Sequence, residues 1–325
     1  MLLPRRKFLR LPAGAISVPT LARIAGAQGY PMRPLRFVIG YPPGGAIDFV
    51  ARLIGRSLSE RLGQPVVVEN KPGAGTNLAV QAVVGAPADG YTLLLAVATN
   101  AINATLYESL PFNFLRDIAP VAGLAELPLV MEVNPGVSVK TIADLIAYAK
   151  ANPGRINMAS FGGGTIAHLA IELFKTMTAT EMVHVPYRGG AAMITDLIAG
   201  QVQGAVDALP NSLPHIRSGA VRALALLSES RSHVLPDLPT VAETVPGYEV
   251  RTWSGVGVPR GTPPEIIAML NREINAALAE ATVQARFAEV GGTPIILTAA
   301  AFGKLIADDT DKWAKVVKLS GAKPE

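Results

Sequence analysis

The stretch 35–62 runs LRFVIGYPPGGAIDFVARLIGRSLSERL. It is an apolar segment (35–41), a tight loop Pro42-Pro43-Gly44-Gly45-Ala46, and then Val50, Leu53, Ile54, Leu58 and Leu62 at helical spacing. That order predicts strand, glycine turn, helix. Two glycines without side chains let a small molecule come close to the backbone, and the first amides of a helix have no intrahelical acceptor. An anion suits such a position. The pattern returns at 156–174: an apolar run ending at Ser160, the loop Phe161-Gly162-Gly163-Gly164-Thr165, and a helix with Ile166, Leu169, Ala170, Leu173 and Phe174. Two such units far apart in sequence suggest two lobes whose helix ends face one ligand.

Working outward, Pro65-Val66-Val67-Val68-Glu69-Asn70 reads as a buried-type strand, followed by Lys71-Pro72-Gly73-Ala74-Gly75-Thr76-Asn77 and a helix to about Val84. A dinucleotide fingerprint is rejected there, because Leu78 stands where the third glycine belongs. A strand at 91–98 ends on Thr99 and Asn100. Strand, helix, strand, helix, strand implies a mostly parallel sheet covered by helices, and such sheets bind ligands beyond the carboxyl ends of their strands. An apolar run at 127–133 reads as a strand crossing into a second lobe, with a helix at 141–151 started by Ser138 or Thr141. That lobe continues through Val183-His184-Val185-Pro186-Tyr187, the turn Arg188-Gly189-Gly190, a helix with Met193, Ile194, Leu197 and Ile198, and short strands at 205–208 and 221–227. The segment 253–258 reads as the return crossing. Thr262 is expected to cap the next helix, with Pro263 in its first turn, and helices at 282–290 and 299–318 finish the chain. Two crossings are the arrangement of a hinge.

The 325 residues are half apolar, enough for two cores. The formal charge of +4 is misleading, because Arg5, Arg6, Lys7, Arg10 and Arg23 all lie in the first 27 residues, which hold no acid; without them 24 basic residues face 25 acidic ones. The remainder has no basic bias and no basic run with interleaved aromatics, which argues against nucleic acid. The N-terminus has a basic start, an apolar middle at 11–21 broken by Pro12, and Ala25-Gly26-Ala27 as a small-x-small site, so 1–27 is expected to be an export signal cleaved near Ala27. Its Arg5-Arg6-Lys7-Phe8-Leu9-Arg10 resembles the twin-arginine pattern of proteins exported folded; an ordinary secretory signal is the alternative. The apolar middle is too short to span a membrane. With no cysteine, disulfides and thiolate chemistry are excluded.

Taken together, Tyr41-Pro42-Pro43-Gly44-Gly45 with Asp48 and Arg52, Val68-Glu69-Asn70-Lys71-Pro72-Gly73-Ala74-Gly75, Pro87-Ala88-Asp89-Gly90-Tyr91, Leu110-Pro111-Phe112, His184-Val185-Pro186-Tyr187-Arg188-Gly189, Pro236-Asp237-Leu238-Pro239-Thr240 and Trp253 with Gly261-Thr262-Pro263 resemble one family. It is the periplasmic substrate-binding proteins of tripartite tricarboxylate transporters, the Bug-type receptors. The resemblance implies an α/β, two-lobed periplasmic-binding-protein fold of type II, each lobe a mostly parallel sheet flanked by helices, hinged by two crossing strands. Lobe 1 would comprise 28–128 plus 252–325 and lobe 2 would comprise 129–251. It further implies a monomeric receptor in the periplasm, without a cofactor, that hands a small organic acid or acidic amino acid to membrane permease subunits; a sensor presenting the solute to a signalling partner is the other reading. By position the resemblance nominates Pro43, Gly44, Gly45 and Ala46 in lobe 1 and Gly163, Gly164 and Thr165 in lobe 2 as the carboxylate grip. Thr99, Asn100, Tyr187, Gly189 and Asp207 would line the distal part. Phe161-Gly162-Gly163-Gly164 departs from relatives that carry serine or asparagine between glycines.

Individual side chains keep two readings. Asp48, in the first turn of its helix, either satisfies amides there or meets an ammonium or hydroxyl on the ligand. Asp207 either accepts from a ligand amine or caps a turn, and His168 either reaches the cleft or packs against its loop. Arg188 either forks a distal carboxylate or faces solvent. His184, His215 and His233 lack partners at metal-ligand spacing. No nucleophile elbow, His-Glu-x-x-His or P-loop is present, so catalysis is not expected.

Overall fold

In a computed structural model of the chain, residues 29–323 are described; the expected export signal at 1–27 lies outside the described residues. The chain builds β1 (Leu35–Ile39), α1 (Ala46–Leu62), β2 (Val66–Asn70), α2 (Asn77–Val84), β3 (Thr92–Val97), α3 (Ala98–Leu106), α4 (Phe114–Asp117) and β4 (Ile118–Glu126). It crosses at Leu127 into β5 (Leu129–Val133), α5 (Ile142–Ala151), β6 (Asn157–Ser160), α6 (Ile166–Thr178), β7 (Val183–Pro186), α7 (Gly190–Ile198), β8 (Gly204–Ala208), α8 (Leu209–Arg217) and β9 (Arg222–Leu226). It returns through β10 (Ser254–Pro259) to α9 (Pro264–Leu278), α10 (Ala281–Glu289), β11 (Thr293–Pro294) and α11 (Ala299–Ser320).

Two sheets result, ordered β11-β4-β10-β3-β1-β2 and β7-β6-β8-β5-β9. The strands joined by helices run parallel: β1 to β2 and β3, β6 to β7 and β8. The strand that enters each sheet after a crossing runs antiparallel to its neighbours, β5 against β8 and β9, β10 against β3 and β4. Each sheet therefore presents the carboxyl ends of its parallel strands on the same side as the helix starts that follow them. β3 is buried along its whole length, as expected of a central strand covered on both faces. Helix ends follow local chemistry. The C-cap of α1 is Gly63 in the left-handed region at φ 65°, and Thr141 and Asp144 exchange bonds across the start of α5 at 3.0 Å each way.

The two crossings are tied together. The Thr252 hydroxyl donates to the Leu127 carbonyl at 2.5 Å and accepts from the Leu127 amide at 3.1 Å. Trp253 is buried there, its Nε1–H donating to Asp309 on α11 at 2.7 Å and its ring meeting Phe302 edge-on. α11 packs against α3 of one lobe and α6 of the other.

Three local expectations are corrected. β2 is an edge strand rather than a buried one, and Val67 is 53% exposed; an apolar run alone does not separate the two. Thr99 and Asn100 do not end a strand, because α3 begins at Ala98 directly after β3. Pro263, not Thr262, holds the N-cap position of α9, and the Thr262 hydroxyl donates to the Pro259 carbonyl instead.

Candidate functional site

Between the two sheets, above the crossing segments, lies a cavity holding about 830 Å³ of empty space including its mouth. Lobe 1 contributes Tyr41, Pro42, Pro43 and the start of α1 (Gly45, Ala46, Ile47), with Val97, Ala98 and Thr99 at the start of α3. Lobe 2 contributes Phe161, Ile166, residues 188–191 and the start of α8 (Ala208, Asn211). The back wall is Leu127, Thr252 and Trp253. Five helices thus begin at this one space, each directly after a strand or its loop. Their exposed first-turn amides make its rim positive.

Those amides differ in how far they are already used. At α3, Val97 N donates to Asn100 Oδ1 at 2.9 Å and Ala98 N to the Trp253 carbonyl at 3.2 Å. At α6, Ile166 N reaches across the cleft to Thr99 Oγ1 at 3.4 Å. At α8, Ala208 N is held by Asp207, Leu209 N by the Pro128 carbonyl, and Pro210 has no N–H. At α1 and α7 the situation is different: among the described residues the amides of Ala46 and Ile47, and of Gly190 and Ala191, have no acceptor. These two helix starts approach each other where Gly189 meets Pro42; a Cβ on Gly189 would sit 3.2 Å from Pro42 Cγ. A Cβ on Gly45 would meet nothing within 4 Å.

Tyr41 and Phe161 close the cleft edge-to-face, centroids 6.0 Å apart. Burial pushes the Tyr41 phenol up to about 12 against its bond to Thr99 Oγ1 at 3.0 Å, so it stays neutral. This pair, with Pro42, Arg188 and Gly189, separates the cavity from a second one lined by the loop 72–76, Gly162, Gly163, Thr165 and Tyr187.

The nominated residues divide accordingly. Pro43, Gly45, Ala46, Thr99 and Gly189 line the first cavity. Gly163, Thr165, Tyr187 and again Gly189 line the second. Gly44 lines neither; its amide donates to Asp48 Oδ2 at 3.0 Å. Asp48 is buried beneath the loop, where Arg52 at 2.8 Å and Asn70 at 3.0 Å complete its partners. Burial raises its pKa, but the bonds from Arg52, the Gly44 amide and Asn70 outweigh that and keep it ionised. Asn100 is buried between Val97 N and Thr76 Oγ1. Gly164 faces α3, where a Cβ would come within 2.8 Å of Leu106 Cδ2, and its amide donates to His168 Nδ1 at 3.1 Å. The structure therefore corrects the expectation that Gly45 and Gly164 face one ligand: packing of α3 against the 161–165 loop turns Gly164 away.

His168 lies flat on His184, centroids 3.9 Å apart at 6°. Burial lowers the pKa of both, His184 to about 3, so both rings are neutral at pH 7. Asp207 is fully buried behind the cavity lining, bonded to Ala208 N, to Asn211 Nδ2 at 3.1 Å and to Ser212. Burial pushes its carboxyl up to about 6. Behind it Glu132, also buried, takes the Ser212 hydroxyl at 2.9 Å while its other oxygen has no partner. No Asp or Glu lines either cavity among the described residues, and Arg188 is the one cation that lines both. Sequence reading missed Ile47, Gly190, Ala191 and Asn211; the available signal was a third strand–glycine–helix pattern at 183–198, Gly189-Gly190 standing as Gly44-Gly45 does.

A family model described as tripartite tricarboxylate transporter family receptor matches residues 50–321. Protein BugT of Bordetella pertussis is 40% identical over 311 residues, 95% of each chain. Among solved structures, Rpa4515 of R. palustris with adipate superposes with a TM-score of 0.87 at 36% identity, over 91% of this chain and 100% of that one. MatC of Rhodopseudomonas palustris with bound malate gives 0.84 at 30%, over 89% and 100%.

Proposed function

We propose, because this chain belongs to the tripartite tricarboxylate transporter receptor family, that it binds a small carboxylate between its lobes in the periplasm and delivers it to the membrane permease of such a transporter. Members of the family are solute receptors, not enzymes, and two similar structures carry dicarboxylic acids, adipate and malate, in their names. One observation supports the reading most strongly. The unused amides of α1 and α7 converge on a cavity without any acidic side chain among its described lining residues. A hydrogen bond to a charged group contributes about 1.5–3 kcal/mol, and a carboxylate between two helix starts takes several such bonds together with the dipole of each helix. Tyr41 of one lobe meets Phe161 of the other at the edge of the cavity, a contact that would enclose the solute.

A ligand that binds only the folded chain raises its stability by RT ln(1 + [L]/Kd), about 2.7 kcal/mol at a hundredfold excess over Kd. Thermal melts with adipate, hexanoate and benzoate, against adipamide and hexanamide, test the proposal. Acids are expected to raise Tm and amides to leave it unchanged. Equal shifts from both sets would remove the carboxylate from the reading.

A further inference from the structure

We infer that the solute is an acid whose body beyond the carboxylate is hydrocarbon, straight or aromatic, and that carries no ammonium group. This rests on the reading of the first cavity as the solute site, and deepens it. The cavity is also lined by Val97, Ala125, Leu127, Leu129, Ile166 and Trp253, all buried apolar side chains. The polar side chains set among them are turned to the protein. Thr252 Oγ1 bridges the amide and carbonyl of Leu127, Ser254 Oγ donates to the Ala125 carbonyl at 2.9 Å, and Trp253 Nε1 points away to Asp309. Tyr41 and Thr99 bond to each other, and Asn211 gives an N–H to Asp207. A hydroxyl or amine held against the six apolar side chains would thus lose water without gaining a partner.

An ammonium group meets a second obstacle. Each carboxylate near the cavity is enclosed by its own donors. Asp48 takes Arg52, Asn70 and the Gly44 amide, and Asp207 takes Ala208 N, Asn211 and Ser212. The charged side chain that does line the cavity is Arg188, exposed and without an ion pair among the described residues. A second carboxylate on the solute has that guanidinium to meet, whereas an ammonium beside it meets like charge and finds no carboxylate among the lining residues. The acidic amino acids admitted by the sequence reading are therefore disfavoured, and saturated diacids or aromatic acids are favoured.

Calorimetric titration of the purified full chain with matched acids tests this. From acetate to hexanoate, affinity is expected to rise about fourfold per added CH₂, the ratio that corresponds to ~0.8 kcal/mol for each buried methylene. Adipate is expected to bind more than tenfold tighter than 2-aminoadipate, which differs by the ammonium group alone. A flat chain-length series, or 2-aminoadipate equal to adipate, overturns the inference and leaves carboxylate capture standing. Adipamide binding as tightly as adipate, or no binding by any acid, overturns the carboxylate reading itself and this inference with it.

Discussion

The loops 42–46 and 161–165 have the same local recipe, strand, glycines, helix, yet they do different things. In the first, Asp48 takes the Gly44 amide and Arg52 and Asn70 hold Asp48, so the loop is fixed from below while Gly45 opens onto the cavity. In the second, the loop's groups are used internally. Gly164 N goes to His168, the Gly162 carbonyl takes Thr165 Oγ1 at 2.7 Å and Ser160 Oγ at 3.0 Å, and the Gly164 Cα lies against Leu106. The first loop opens onto the cavity and the second is a seat for α3. A glycine turn before a helix says that donors are present; neighbours far away in sequence decide whether they are free.

The largest expected effect separates the loops by binding. Gly45 sits at φ −90°, a conformation open to any residue, with open space beside it. Gly45→Val should therefore keep the fold and fill the cavity beside the Ala46 and Ile47 amides. A loss of affinity for adipate of at least a hundredfold is expected, with Tm in the absence of ligand within a few degrees of wild type. Retained affinity, read by calorimetry, would dissolve the contrast.

Gly164→Val should do the reverse. At φ +71° a β-branched residue is strained, and its Cβ meets Leu106 at 2.8 Å. A stability loss of about 2–4 kcal/mol in urea unfolding is expected, with any affinity change following from impaired closure. A variant that melts like wild type but no longer binds would return this loop to the ligand site.

A smaller effect sharpens the comparison through pH. Asp48 has a folded pKa below its ordinary value, so its contribution to stability is present above about 4 and is lost as pH falls through the lowered value. Asp207 and Glu132 behave oppositely. Burial raises both; for Asp207, raised to about 6, the contribution is full below about 4 and is lost as pH rises through about 6, and Glu132 is raised in the same direction by burial and the neighbouring Asp207 charge. Glu132→Gln removes the carboxylate whose second oxygen has no partner. It should stabilise the protein by on the order of 1 kcal/mol at neutral pH and by less near pH ~4.5. Parallel pH–stability curves for the variant and wild type would contradict the assignment.

Most of the architecture was legible because its signals are local. Alternation, 3.6-residue spacing and glycine or proline breaks marked the first unit, the second and both crossings. α3 was missed because Ala98-Thr99-Asn100 follows β3 with no glycine or proline to announce a change, and short polar residues read as a strand end. Asp48 was legible as a first-turn acid, but its enclosure by Asn70 from the next strand was not. The family resemblance nominated loops that border the two cavities. It did not reveal that Gly190 and Ala191 also line the first cavity, because that follows from where α7 packs.

The Thr252 hydroxyl, joined to both backbone groups of Leu127, makes one pivot of the two crossings. Under rotation about a pivot, displacement grows with distance, so the wall formed by Leu127 and Trp253 moves least and the Tyr41–Phe161 gate most. On the proposed reading, a solute would rest its oily end on a nearly stationary floor, and a swing of the far lobe would bring the last donors to its charged end.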